Sequence, residues 1–237
     1  SWSQAESVPR PVVGHHRPEW FEKSAGLVAH YDFQYQLGGT VHRFSDIPRL
    51  YQQAKEMGMN HLLLSGWNED GFDFGFPHYT PNHLLGTEEE LKEALAQVKA
   101  EGGHVAFYIN TRLCNPVFED TAELLEKSVV RKRDGTPYIE HYGAGVPFGS
   151  LCINDTPWRD RLVDTVHYLT HELGADSMYL DQLAMAGSLK CYNPEHSHGE
   201  NRTDWNRGYE KLLDSLRADY DPEGMALIYE GCNDIYG

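Results

Sequence analysis

Asp181 and Glu230 are the two residues whose type and placement point most directly to chemistry. Each follows a short apolar run, Ser177-Met178-Tyr179-Leu180 and Ala226-Leu227-Ile228-Tyr229. If these runs are neighbouring parallel strands, they lie about 4.8 Å apart, and the two acids face one small volume. Cleaving a glycosidic bond needs such a pair. One acid protonates the leaving oxygen, and one carboxylate attacks carbon or activates water. Taken singly, each acid also reads as structural: Asp181 as a loop cap or an arginine partner, Glu230 as a strand-end acid.

Other polar residues end other apolar runs. The stretch from Trp67 to Tyr79 joins aromatics, acids and two glycines. Its Trp67, Asp70, Asp73 and Tyr79 are candidates for binding a sugar, since aromatic faces stack on rings and acids accept hydroxyl hydrogens. The same residues would equally serve a loop packed on its own aromatics. Asn110 and Arg112 follow Val105–Ile109, where an arginine would keep a carboxylate ionised or bind an acidic group. Gln182, next to Asp181, joins this substrate-binding set.

The stretch Cys191-Tyr192-Asn193-Pro194-Glu195-His196-Ser197-His198 has zinc-type ligands in His196 and His198 with Cys191 or Glu195. Histidines two apart point the same way only on a strand, and this is a Pro-containing loop. We therefore expect His196 and His198 to contact substrate hydroxyls, and we expect no metal and no cofactor.

These residues need a scaffold. Strand-like runs cover Leu27–Tyr35, His61–Ser65, Val105–Asn110, Met178–Asp181 and Met225–Glu230. Between them lie helical segments with start and stop signals. Ser45 or Asp46 opens one that stops at Gly58. Thr87 with Glu90 forms a capping box for the next, which ends at Gly102-Gly103. Asp155 or Thr156 with Pro157 opens a third, stopped by Gly174, and the fourth runs from about Asp204 to Asp219. The β-α alternation predicts a parallel sheet with outer helices, whose sites form at the carboxyl ends of the strands. A hairpin turning at Asp134-Gly135 is expected to interrupt the rhythm.

Five such strands are counted where a closed (β/α) barrel has eight. The expected fold is thus α/β, a parallel (β/α) TIM-type barrel that is incomplete in this chain. Residues 1–23 are expected to be a lead-in or linker, and 24–237 the front portion of the barrel domain. The start at Ser1, without methionine, suggests an excised or processed fragment.

The 237 residues carry a formal net charge of −16, with 24% charged and 12% aromatic residues. Nucleic acids and anionic membranes select for basic patches, so neither is an expected partner; a neutral carbohydrate is. The longest apolar runs are far shorter than the ~20 residues that cross a bilayer. Cys114, Cys152, Cys191 and Cys232 include no C-x-x-C pair, so no disulfide framework is expected.

Gly66-Trp67 with its acidic aromatic loop, Val105–Arg112, Gly174–Gln182, Cys191–Pro194 and Glu230-Gly231 together resemble an uncharacterised group of glycoside-hydrolase-like TIM-barrel proteins. That group is distantly similar to the alpha-amylase superfamily and to endo-alpha-N-acetylgalactosaminidases. The resemblance spans roughly residues 25–237 and is most specific at Tyr179-Leu180-Asp181-Gln182. It implies a retaining hydrolase of an alpha-linked sugar, with Asp181 as nucleophile after the fourth strand and Glu230 as acid/base after the fifth. Glu230 would have to begin protonated, a state expected to be favoured by Tyr229 and by the negative Asp181. The alternatives are a metal-dependent hydrolase using His196 and His198, and a carbohydrate-binding barrel without catalysis.

Overall fold

The computed structural model describes residues 17–31, 33–35, 38–142, 145–183, 185–198, 205–219 and 224–230. In chain order the first elements are α1 (Glu19–Glu22), β1 (Val28–His30), α2 (Ile47–Glu56), β2 (His61–Leu64), α3 (Glu88–Ala100) and β3 (His104–Asn110). An insertion follows with β4 (Leu113–Cys114), α4 (Ala122–Ser128), β5 (Ile139–His141) and β6 (Pro147–Ser150). The regular alternation resumes with α5 (Thr156–His167), β7 (Ser177–Asp181), α6 (Trp205–Asp219) and β8 (Ala226–Tyr229).

Five strands form one parallel sheet in the order β1-β2-β3-β7-β8. All five fall within a few residues of the runs expected from sequence. The first is the least well anticipated, because pairing stops at His30 and Gln34 makes only an isolated antiparallel bridge to Thr40. The helix signals act as expected. Thr87 accepts from the Glu90 amide while the Glu90 side chain takes the Thr87 amide. The Asp155 carboxylate accepts from the Trp158 amide. Gly174 takes a left-handed φ of +89°, which ends the segment before β7. One departure is that α5 runs on into a π-helical turn, Tyr168–Glu172.

The insertion is larger than the expected hairpin. The turn at Asp134-Gly135 is present, with the Tyr138 amide donating to the Val130 carbonyl. β4, β6 and β5 then build a separate antiparallel sheet, and α4 had no counterpart in the sequence reading.

Strand alternation gives the parallel sheet two faces. One carries Leu62, Leu64, Val105, Phe107, Ile109, Met178 and Leu180, packed with Leu50, Leu91, Leu95, Leu162 and Leu212 from the helices into one hydrophobic core. The registers Leu63↔Ala106, Tyr108↔Tyr179 and Asn110↔Asp181 place the polar and aromatic residues on the opposite face. At the amino end of that face, Trp20 of α1 stacks on His104 at 3.6 Å and meets His61 edge-on. The described part of the lead-in is therefore bound to the sheet.

Candidate active site

Asp181 closes β7 at the carboxyl edge of the sheet. Leu180 pairs with Tyr229, so Glu230 stands one step past that pair, beside Asp181 and on the same face. The Glu230 carboxyl is near enough to act on Asp181 electrostatically. Asp181 is buried, whereas Glu230 is exposed. Burial raises the Asp181 carboxyl to about 6, and the facing Glu230 adds to this while the Tyr108 hydroxyl opposes it.

Two donors from the neighbouring strand fix Asp181 Oδ2. The Tyr108 hydroxyl donates at 2.5 Å and Asn110 Nδ2 at 2.9 Å. Both residues lie on the face that carries Asp181, two positions apart on β3. Burial, first, and the adjacent Asp181 charge keep Tyr108 protonated well past the ordinary phenol range. Thr111 Oγ1 holds the backbone by donating to the Asp181 carbonyl at 2.8 Å.

Three aromatics border the pair. Tyr31 follows β1, is 40% exposed, and feels the charges of both Asp181 and Glu230. Phe72 sits between Tyr31 and Tyr108, with ring centroids 5.3 and 5.1 Å away. Tyr179 stacks on Tyr108 at 5.7 Å and lies near Glu230. Tyr229 does not have the expected place beside Glu230: strand alternation turns it to the helix-packed face, where it is partly buried.

Not all of the sequence-derived set gathers here. Asp73 does, within electrostatic range of Tyr108. Trp67 and Tyr79 belong to the core. The Trp67 indole is fully buried and donates to the Tyr108 carbonyl at 3.0 Å, so it presents no face to a ligand. The Tyr79 hydroxyl donates to the Asn110 carbonyl at 2.7 Å and accepts from the Asn110 amide. Both rings brace β3 from behind. Asp70 pairs with His78, which also reaches Asp120.

Arg112 is engaged by Glu140, not by Asp181. Its Nη2 meets both Glu140 oxygens at 2.6 Å, its Nε donates to Gln182 Oε1 at 2.6 Å, and its guanidinium lies over Trp205. Burial alone would raise Glu140, but the Ser150 and Tyr142 hydroxyls and Arg112 hold it below the usual carboxylate range. The Arg112 contact secures Gln182 at a left-handed φ of +63°. Asp70 (φ +62°) and Asp73 (φ +52°) share that uncommon conformation, which gathers where structure over-determines a functional loop.

His196 and His198 are corrected in placement. Both are buried, their rings edge-on at 5.7 Å, and they face Cys191 and Cys152. Each sets a ring nitrogen toward those thiols. Cys152 comes from 39 residues before Cys191, a separation that hid it from any local motif. Tyr108 and Phe72 were also not singled out, whereas Tyr31 falls in the first expected strand. Tyr108 alone had a legible signal, its position two residues before Asn110 on one strand. Asp32, inside the first expected strand, and Gly231, after Glu230, lie outside the described residues, as does Asp204.

Comparisons with known proteins place the chain among relatives and related folds. A protein of Bacteroides thetaiotaomicron, provisionally named a glycoside hydrolase, is 31% identical over 172 residues, 72% of this chain and 25% of its own. A second protein with such a provisional name, from Monosiga brevicollis, is 25% identical over 70% of this chain and 14% of its own. The chain thus spans a quarter or less of these relatives. Among solved structures, the alpha-N-acetylgalactosaminidase of Bifidobacterium bifidum superposes with a TM-score of 0.70 at 19% identity, over 94% of this chain and 40% of its own. The alpha-galactosidase of Geobacillus stearothermophilus gives 0.65 at 13% identity, over 91% and 29%. At these identities the structural likeness speaks for fold alone. The sequence match of residues 1–236 to the family described as a domain of unknown function, DUF6259, shows that this chain belongs to that family.

Proposed function

We propose that this chain is the front portion of a (β/α)-barrel glycoside hydrolase that cleaves an alpha-linked sugar with retention. Asp181 is the nucleophile and Glu230 the acid/base. The observation that carries the reading is their juxtaposition on adjacent parallel strand ends, with Asp181 Oδ2 held by Tyr108 and Asn110. A carboxyl separation of about 5–5.5 Å would suit attack by the carboxylate itself, whereas inversion needs about 6.5–9.5 Å to admit a water.

In the first step Asp181 attacks the anomeric carbon, and Glu230 gives its proton to the departing oxygen. In the second, Glu230 takes a proton from water as that water displaces Asp181. Tyr31, Tyr179 and Phe72 are suited to border the sugar, with Asp73 accepting a hydroxyl. Asn110 serves by orienting Asp181, and Arg112 and Gln182 by shaping the floor beside it. The β1 edge of the sheet face carrying Asp181, at Ala29 and Tyr31, is exposed, whereas Leu63, Ala106 and Tyr108 farther in are buried. Further strands of the same barrel would cover it, so residues 24–237 read as part of one catalytic domain.

The test is hydrolysis of aryl alpha- and beta-glycosides, starting with alpha-galactosides and alpha-N-acetylgalactosaminides, because the structurally similar enzymes bear those names. Proton NMR of the first-formed sugar reads the anomer. Turnover of an alpha-glycoside to the alpha-anomer, abolished in Asp181→Asn, is expected. Full activity in Asp181→Asn, or a beta-anomer as first product, would overturn the assignment.

A further inference from the structure

Four ligand-type side chains converge away from the carboxylate pair. Cys152 follows the Leu151 bridge to Val129, and Cys191, His196 and His198 lie on the loop after β7. Their relative exposures are 1%, 2%, 3% and 8%. One ligand atom from each lies within 4.8 Å of all the others. Around a tetrahedral zinc, with bonds of about 2.0 to 2.3 Å, ligand atoms stand roughly 3.3 to 3.8 Å apart. Cys191 Sγ and His196 Nδ1 are already at 3.3 Å.

The surroundings of His196 favour a metal over a packed histidine. Its Nε2 is 2.8 Å from the Lys127 carbonyl, which can only accept, and 3.1 Å from Asn193 Nδ2; the shorter contact assigns the proton to Nε2. Nδ1 is thereby left with its lone pair directed at the cluster. Metal-bound histidines show this arrangement, with the distal N–H on a carbonyl that sets the tautomer and the ring angle. Cys152 and Cys191 are both free thiols.

We infer that Cys152, Cys191, His196 and His198 form a structural zinc site. Binding releases the two thiol protons, so a divalent ion and two thiolates make a neutral, buried core. Four protein ligands complete the tetrahedron and leave no position for water, which separates this site from a catalytic zinc. The ion ties the segment of Cys152 to the loop of Cys191, His196 and His198, and backbone bonds join both to the insertion. The Cys152 amide donates to the Ser128 carbonyl, the Tyr192 amide to the Arg131 carbonyl, and the Ser197 amide to the Asn154 carbonyl. Thus the insertion and the loop after β7 share one anchor. Tyr209, within electrostatic range of Cys152, meets Thr111 Oγ1 at 3.1 Å, and Thr111 holds the Asp181 carbonyl. The zinc would therefore position the wall beside the candidate nucleophile without touching substrate.

The test is metal content by plasma mass spectrometry on the full protein, purified without chelators, in wild type and in Asp181→Asn. One zinc per chain is expected in both, so the result stands whatever becomes of the hydrolase reading. Cys152→Ser and Cys191→Ser should lose the ion, His198→Ala should weaken it, and His198→Cys should retain it. Cobalt substitution should give the intense visible bands of a tetrahedral thiolate site. If a serine variant does not fold, the cobalt spectrum of wild type and the zinc content of His198→Cys still decide. Wild type that takes up no zinc from added zinc chloride overturns the inference. So does a Cys152–Cys191 disulfide in the native protein by non-reducing peptide mapping.

Discussion

The Tyr108 hydroxyl donates to Asp181 Oδ2 at 2.5 Å from the strand directly paired with β7. It stays a donor, since its own burial and the Asp181 charge keep its proton in place. Such a bond favours the ionised form of Asp181. Tyr108→Phe should therefore lower turnover roughly ten- to hundredfold, the weight of one hydrogen bond to a charged group. The acid limb of its pH profile should move upward. An unchanged acid limb would mean that Tyr108 does not tune Asp181.

The pH dependence of wild type follows from Asp181 itself. As the proposed nucleophile it must be ionised, and this carboxyl is raised to about 6. Turnover per unit substrate should rise with pH through about 6 and fall tenfold per unit well below it. Initial rates on an aryl glycoside from pH 4 to 8 measure this.

Stability should carry the mark of two opposed groups. Asp181 is raised to about 6 in the folded state, so its contribution is present at low pH and lost as pH rises through 6. His61 is lowered to about 4, mainly by burial, so its contribution is present above about 6.5 and lost as pH falls toward 4. Between pH 4 and 6 the two slopes oppose each other. Asp181→Asn removes one, so acidifying from pH 7 to 4 should destabilise it by about 2 kcal/mol more than wild type. His61→Gln, which keeps a partner for Ser177, should shift the other way by about 3 kcal/mol. Urea titrations at each pH give both numbers.

Arg112 and Glu140 form a mostly buried ion pair, with side chains 5% and 14% exposed. Arg112→Ala leaves Glu140 without its cation and should cost about 3–5 kcal/mol. Arg112→Met with Glu140→Leu should recover most of that loss, because no charge is then stranded. Urea denaturation of the single and double variants separates the two outcomes.

Gly66 turns the chain out of β2 at a φ of +67°, and a Cβ there would lie 2.5 Å from the Gln34 carbonyl oxygen. Gly66→Ala should destabilise by at least about 1–2 kcal/mol, from the left-handed backbone and the clash together. Thermal unfolding checks it.

The legible part of this protein was its local order. Five apolar runs, the Thr87–Glu90 capping box, the Asp155 cap and the stops at Gly58, Gly102 and Gly174 announced the parallel α/β sheet, because each depends on residues close in sequence. That order also put Asp181 and Glu230 at adjacent strand ends, their register following from the alternation of the strands. Long-range packing decided the rest. Trp67 and Tyr79 look like sugar platforms in sequence, but the core needed their large apolar surfaces and β3 their hydrogen bonds. Arg112 looked free for a ligand until the insertion brought Glu140 to it. His196 and His198 suggested a metal only weakly, since two histidines on a loop have no fixed geometry. Cys152 completes their set from the far side of α5, and only the fold brings it there.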